Sequence, residues 1–263
     1  MRLPATMLAA ILIATSANAA ELTGTLQKVK ETNRIVLGIQ EASVPFSYLD
    51  GDQKVIGYAV DICMKIVDAV KQELKLSSLN VETSPVTSSN RIPLMMNGTV
   101  DLVCSATTNN AERQRQVSFT NSHFLSATRF AARKADNISS IDALKGKPVV
   151  AVSGSTNMVQ LNQANTARNL GVTVLAAKDQ AEAFLMLETG RAAAYVLDDV
   201  QLAVAIARSK DPSAYMISEE AFSKAEPYGI MLRKDDGPFK TLADRATASL
   251  YRCLLYTSDA ADE

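Results

Sequence analysis

Short β-branched runs alternate with amphipathic stretches along this chain, and they do so twice. In the first series, residues 34–38 (Ile35-Val36-Leu37), 79–86 and 100–104 read as strands, and residues 22–31 and 60–74 as helices. In the longer helix, Val60, Cys63, Ile66 or Val67, Val70 and Leu74 recur at helical spacing. The second series places strands at 148–153, 173–176 and 193–197, and helices from Asn157, over 180–189 with Gly190 as the stop, and over 200–209. Strands alternating with helices demand parallel-type sheets. Two such series joined by the extended, apolar residues 124–133 demand two lobes. A second extended crossing near 225–233 and a helix over 239–252 then bring the chain back to the first lobe. The expected division is 20–125 with 227–252 for lobe 1, and 126–226 for lobe 2.

Open α/β sheets bind ligands beyond the C-terminal ends of their strands. There, residues 100–104 run into Ser105-Ala106-Thr107-Thr108-Asn109-Asn110 and then Ala111-Glu112-Arg113. Hydroxyls, free backbone N–H groups and one guanidinium fork suit a carboxylate. The same residues serve equally well as a capped helix start, with Asn110 as N-cap and Glu112-Arg113 in solvent. Gly154-Ser155-Thr156 opens a helix whose free N–H groups attract anions, and Thr156 is either a ligand contact or a plain cap. Asp198-Asp199 ends a strand facing the same side, with Asp199 the better candidate for capping. Residues 40–47 read as a loop in which Pro45 fixes the backbone before Phe46 and Tyr48, and residues 87–91 cap a short helix.

A net charge of −1 offers nothing to nucleic acid or an anionic surface. One histidine and three scattered cysteines argue against a His/Cys metal site. His123 is expected to be structural. Residues 1–19 have the form of an export leader: Met1-Arg2, an apolar run over 7–14, and Ala17-Asn18-Ala19. Residues 253–263 resemble the translation of a sequencing adapter and are expected to be non-native. Export permits a disulfide between Cys63 and Cys104, but the expectation is two unpaired, buried cysteines. No credible Ser/His/Asp or Cys/His arrangement supports an exported hydrolase or lyase.

The element order resembles the bacterial periplasmic solute-binding proteins that serve polar amino acid ABC transporters, family 3, and especially its glutamate/aspartate-binding members. The matching runs are Ser43-Val44-Pro45-Phe46-Ser47-Tyr48, Asn90-Arg91-Ile92-Pro93-Leu94, Thr107-Thr108-Asn109-Asn110 with Glu112-Arg113, Leu144-Lys145-Gly146-Lys147, Leu187-Glu188-Thr189-Gly190-Arg191-Ala192, Asp198-Asp199, and 228–236. The resemblance implies an α/β fold of type II, with two hinge crossings and a ligand cleft between the lobes. It also implies a monomer without cofactor or metal that hands a free amino acid to a membrane permease. Exported enzymes on the same fold, such as a dehydratase or lytic glycosidase, and ligand sensors are the alternatives.

Carried over residue by residue, the resemblance gives Arg113, Thr108 and Thr156 to the ligand's carboxylate and Asp198 to its ammonium. Ser88, Arg91 and Phe46 fall at its side-chain end. Three positions depart from the glutamate/aspartate pattern: Gln40 replaces a basic residue, Ala106 a serine, and Gln180 a histidine. Two glutamines offer donors and acceptors where two potential cations are expected. An acid and its amide are therefore both expected ligands.

Overall fold

The computed structural model describes residues 22–259, with side chains through Tyr251; the expected leader at 1–19 and the side chains of the adapter-like tail lie outside them. Each of the two α/β series forms a five-stranded sheet. In the first, Asn80–Pro85, Arg34–Ile39 and Leu102–Cys104 run parallel, followed by Met231–Arg233 and Val117–Phe119. In the second, Thr173–Ala177, Pro148–Val152 and Ala194–Asp198 run parallel, followed by Thr128–Arg133 and Tyr215–Ile217. In each sheet one strand opposes the other four: Met231–Arg233 in the first, Thr128–Arg133 in the second. Both arrive from the crossings between lobes. They therefore enter at the edge where the parallel strands end, which reverses their direction.

The crossings are Phe124–Ser126 and Glu226–Tyr228, which pair antiparallel as a two-stranded ribbon. Two adjacent extended segments let one lobe rotate on the other without unfolding either.

The central strands are covered on both faces, which is why they read as unbroken apolar runs. Ile35, Leu37 and Ile39 pack against the helix Tyr58–Glu73 and the C-terminal helix through Ile62, Ile66, Val70, Phe239 and Leu242. Val36 turns the other way, to Met95, Val100 and Val103. In the second lobe Val149 and Ala151 meet Leu161 and Phe130, while Val150 and Val152 meet Met186, Leu187 and Leu202. Each large aliphatic side chain buried this way contributes about 1.5–3 kcal/mol.

Two sequence expectations change. Cys63 and Cys104 form a disulfide, their Cα atoms 6.0 Å apart, rather than remaining free. Helix and strand converge there because Cys63 lies on the buried face of the one and Cys104 at the end of the other. The expected loop at 40–47 holds strand pairing: Ala42–Ser43, Ser47–Leu49 and Val55–Ile56 form a small antiparallel sheet at the cleft mouth. These strands are too short to produce a readable alternation.

Candidate functional site

Four parallel strands from the two sheets end at one place, and each leads into a predicted site residue. Asn80–Pro85 leads to Ser88, Leu102–Cys104 to Ala106 and Thr108, Pro148–Val152 to Thr156, and Ala194–Asp198 ends on Asp198 itself. Together with Arg91 and Gln180 these residues line a small cavity between the lobes, about 10 Å³ in this closed arrangement.

The lobes touch around it. Thr108 Oγ1 lies 3.2 Å from Thr156 Oγ1, Ser89 Oγ donates to the Ser153 carbonyl at 3.0 Å, and Gln201 Nε2 donates to Ser43 Oγ at 2.9 Å. Gly154 sits at φ +75, where a Cβ would lie 2.6 Å from Ser89 Cα. Only glycine allows both that left-handed turn and that approach. Ser155, not Thr156, caps the helix Thr156–Ala167 by accepting from the Met158 N–H at 3.1 Å. The Thr156 hydroxyl is left to face the cavity and Thr108.

Asp198 is 7% exposed. Asn157 Nδ2 donates to its Oδ1 at 2.8 Å, Thr128 Oγ1 to the same oxygen at 3.4 Å, and the Tyr228 hydroxyl to Oδ2. Burial raises its pKa, and these three donors pull it back down. The backbone of Asp198 stands at the N-cap of the helix Asp199–Ala207, but its side chain does no capping. Asp199 instead accepts from the Val200 N–H at 2.8 Å and from Ser126 Oγ at 2.5 Å.

Arg91 is almost fully buried at 2% exposure. Its Nη1 donates to Thr107 Oγ1 at 3.0 Å and to the Ala106 carbonyl at 3.1 Å, while its Nε has no partner. Burial lowers its pKa, and neighbouring Arg113 lowers it further; Asp198 and Tyr228 act in the opposite sense. Two buried amide oxygens near the site are also without partners, Gln180 Oε1 and Gln40 Oε1. Gln40 Nε2 donates to Ser88 Oγ at 3.2 Å.

Three predicted site residues do not line the cavity. Arg113 stands behind Thr108, donating from Nη1 to its carbonyl at 3.0 Å; burial lowers its pKa and Asp198 raises it. Gln40 stands behind Ser88. Phe46 is 1% exposed, with its ring edge-on to Phe124 at 5.1 Å and to Tyr228 at 5.2 Å. It packs beneath the hinge because an aromatic ring gains more from that cluster than from a polar cavity. His123 joins the same cluster near Tyr58 and Tyr228; both its ring nitrogens lack partners, and burial lowers its pKa to about 4.

Asn157 and Gln201 line the cavity and were not anticipated. Gln201 lies one helical turn after Asp198, a spacing that keeps both on one face. Asn157 follows the Gly154-Ser155-Thr156 turn, and its sequence offers no signal beyond that neighbourhood. The arrangement lines the cavity with one carboxylate, one guanidinium, hydroxyls and amides, with a second guanidinium behind Thr108, which is complementary to a zwitterion with a polar extension. Among the described residues no cluster of His, Cys, Asp and Glu could hold a metal ion.

Comparison with known proteins identifies the family. The model of the bacterial extracellular solute-binding proteins, family 3, matches residues 35–253. The chain is 45% identical to an L-glutamate/L-aspartate-binding protein of Pseudomonas aeruginosa, over 94% of this chain and 82% of that protein. It is 43% identical to a glutamate/aspartate import solute-binding protein of Escherichia coli K12, over 95% of this chain and 84% of that one. Among solved structures, an ancestral arginine-binding protein bound to arginine superposes with a TM-score of 0.76 at 26% identity, covering 86% of this chain and 96% of that one. This chain therefore belongs to the bacterial extracellular solute-binding proteins of family 3.

Proposed function

We propose that the protein is the periplasmic binding component of an ABC importer, closing two lobes on a free polar amino acid and presenting it to a membrane permease. The observation that carries this reading is the convergence of Asp198, Arg91, Thr108 and Thr156 on one small cavity between the lobes. Asp198 takes the ligand's ammonium. Thr108 and Thr156 hold its carboxylate, with Arg113 bracing the Thr108 carbonyl and supplying charge from behind. Ser88, Arg91 and Gln180 meet the side chain, with Gln40 acting through Ser88, Ala106 leaving room where a hydroxyl is absent, and Phe46 supporting the hinge. Residues 1–19 direct export and are removed; 20–125 with 227–252, and 126–226, move as the two bodies of a monomer.

The two relatives named above support glutamate and aspartate as ligands, and the paired side-chain glutamines support their amides as well. The site serves binding rather than catalysis: the only histidine lies under the hinge, with no partner for proton transfer. Calorimetric titration of the purified chain with the standard amino acids tests the reading. The expected result is saturable one-to-one heat with glutamate, aspartate or their amides, and ligand recovered unchanged. Turnover of the ligand, or no heat with any amino acid, contradicts it.

A further inference from the structure

The carboxylate assigned to the ligand's ammonium is held largely by the hinge. Ser126, the last residue of one crossing strand, donates to Asp199, and Thr128, at the start of the next strand, donates to Asp198. Tyr228, the last residue of the other crossing strand, donates to the free oxygen of Asp198. Tyr228 also reaches the opposite half of the site through its backbone. It forms a β-bridge with Thr108, flanked by Asn109 N–H to the Pro227 carbonyl at 2.8 Å and Gly229 N–H to the Thr107 carbonyl at 3.1 Å. One fully buried residue thus connects Thr108 of the first lobe to Asp198 of the second. Its ring is fixed between Phe46 and Phe124, so the hydroxyl has little freedom to leave.

We propose that Tyr228 is the positioning residue that sets Asp198 for the ligand's ammonium and couples occupancy of the site to hinge closure. The inference rests on the binding reading above. A carboxylate fixed by neutral donors keeps its charge for the ligand, and a phenol O–H donating to the charged form holds that form ionised. Without the phenol, Asp198 rotates about the Asn157 contact and protonates more readily. Binding then weakens for every α-amino acid, whatever its side chain. The groups whose charge also bears on Asp198 are Asp199 on its own helix, Tyr195 on its own strand, and Arg91 and Arg113 from the first lobe.

The test is Tyr228→Phe, which removes only the hydroxyl and keeps the ring. Affinities for glutamate and glutamine are measured calorimetrically from about pH 4 to pH 8, alongside the small-angle scattering radius with and without ligand. We expect about a tenfold or greater loss of affinity, the same for both ligands. The acid limb of the binding profile should move up by about one pH unit, and ligand should compact the variant less than the wild type. Full biosynthetic replacement of the seven tyrosines by 3-fluorotyrosine, whose phenol is a stronger donor, removes no side chain and should move the acid limb down. That arm decides the matter if Tyr228→Phe does not fold. Unchanged affinity and acid limb in a folded Tyr228→Phe, or an unmoved limb with fluorotyrosine, overturns the role of Tyr228 while leaving amino acid binding intact. A wild-type protein that binds neither glutamate nor glutamine overturns the binding reading, and this inference with it.

Discussion

The two ends of the cavity are built differently. At the Asp198 end both carboxylate oxygens are occupied, by Asn157, Thr128 and Tyr228, and the surrounding backbone is tied into the hinge. At the other end Gln40 Oε1, Gln180 Oε1 and Arg91 Nε are buried without partners. Buried polar atoms are rarely left unpaired, because each costs about 1–3 kcal/mol. The finished end suits the part of a ligand that all α-amino acids share. The unfinished end awaits the part that differs: Arg91 and Gln180 line the cavity, so a side chain that brings an acceptor and a donor satisfies their orphan atoms, while Gln40 stands behind Ser88.

The most severe way to break this contrast is at the finished end. Asp198→Asn removes the only carboxylate among the described residues that line the cavity, and titration should show about 3–5 kcal/mol lost for every ligand. A loss confined to one ligand contradicts the assignment of Asp198 to the shared ammonium. The Cys63–Cys104 bond anchors the turn that carries Ala106 and Thr108, and it closes a loop with sequence separation 41. Replacing both cysteines by serine should cost about 4 kcal/mol of stability on the chain-entropy account. The order of ligand preference should stay unchanged, as read by chemical denaturation and titration together.

Acid sharpens the comparison from outside the site. His123 is neutral when folded down to about pH 4, whereas an unfolded histidine protonates near its ordinary 6.5. Between those values the unfolded chain holds more protons, so stability falls as pH drops through that window and is unaffected by this group above it. The shift corresponds to about 3 kcal/mol. Denaturation of His123→Phe should show a flatter acid arm; an identical arm contradicts the burial argument. Acid loss of glutamine binding that survives in His123→Phe then belongs to the cavity, where Asp198 is the carboxylate whose pKa is raised.

Arg113→Ala should weaken all ligands alike by about 1.5–3 kcal/mol, since it acts through the Thr108 carbonyl rather than on a side chain. Gln40→Arg and Gln180→His restore potential cations at the unfinished end. Each should move preference toward glutamate and aspartate by about 1 kcal/mol, the difference between a charge-assisted and a neutral hydrogen bond.

Much of the architecture was legible because it is local. Helical spacing over 60–74, the valine runs and the punctuating Gly190 each report their own element. Seven of the ten proposed site residues, Ser88, Arg91, Ala106, Thr108, Thr156, Gln180 and Asp198, line one cavity. What escaped depends on distance across the fold. The disulfide needed a helix and a strand brought to 6.0 Å, which no spacing along the chain encodes. Phe46 reads as a cleft residue until Tyr58, Phe124 and Tyr228 are seen around it. Asn157 and Gln201 look like ordinary helix residues until the first lobe closes over them. The role of Tyr228 lies in a contact with a residue thirty positions away in another element.

The central claim is that the cavity fixes the common end of an amino acid and leaves the side-chain end open to acid or amide. Titrating glutamate, aspartate, glutamine and asparagine into one preparation tests it most directly. The account predicts that at least one acid and its amide bind with affinities within about tenfold, or 1.4 kcal/mol, of each other. A strong preference for both acids over both amides would contradict it, and would show that Arg91 and Ser88 alone decide the side-chain end.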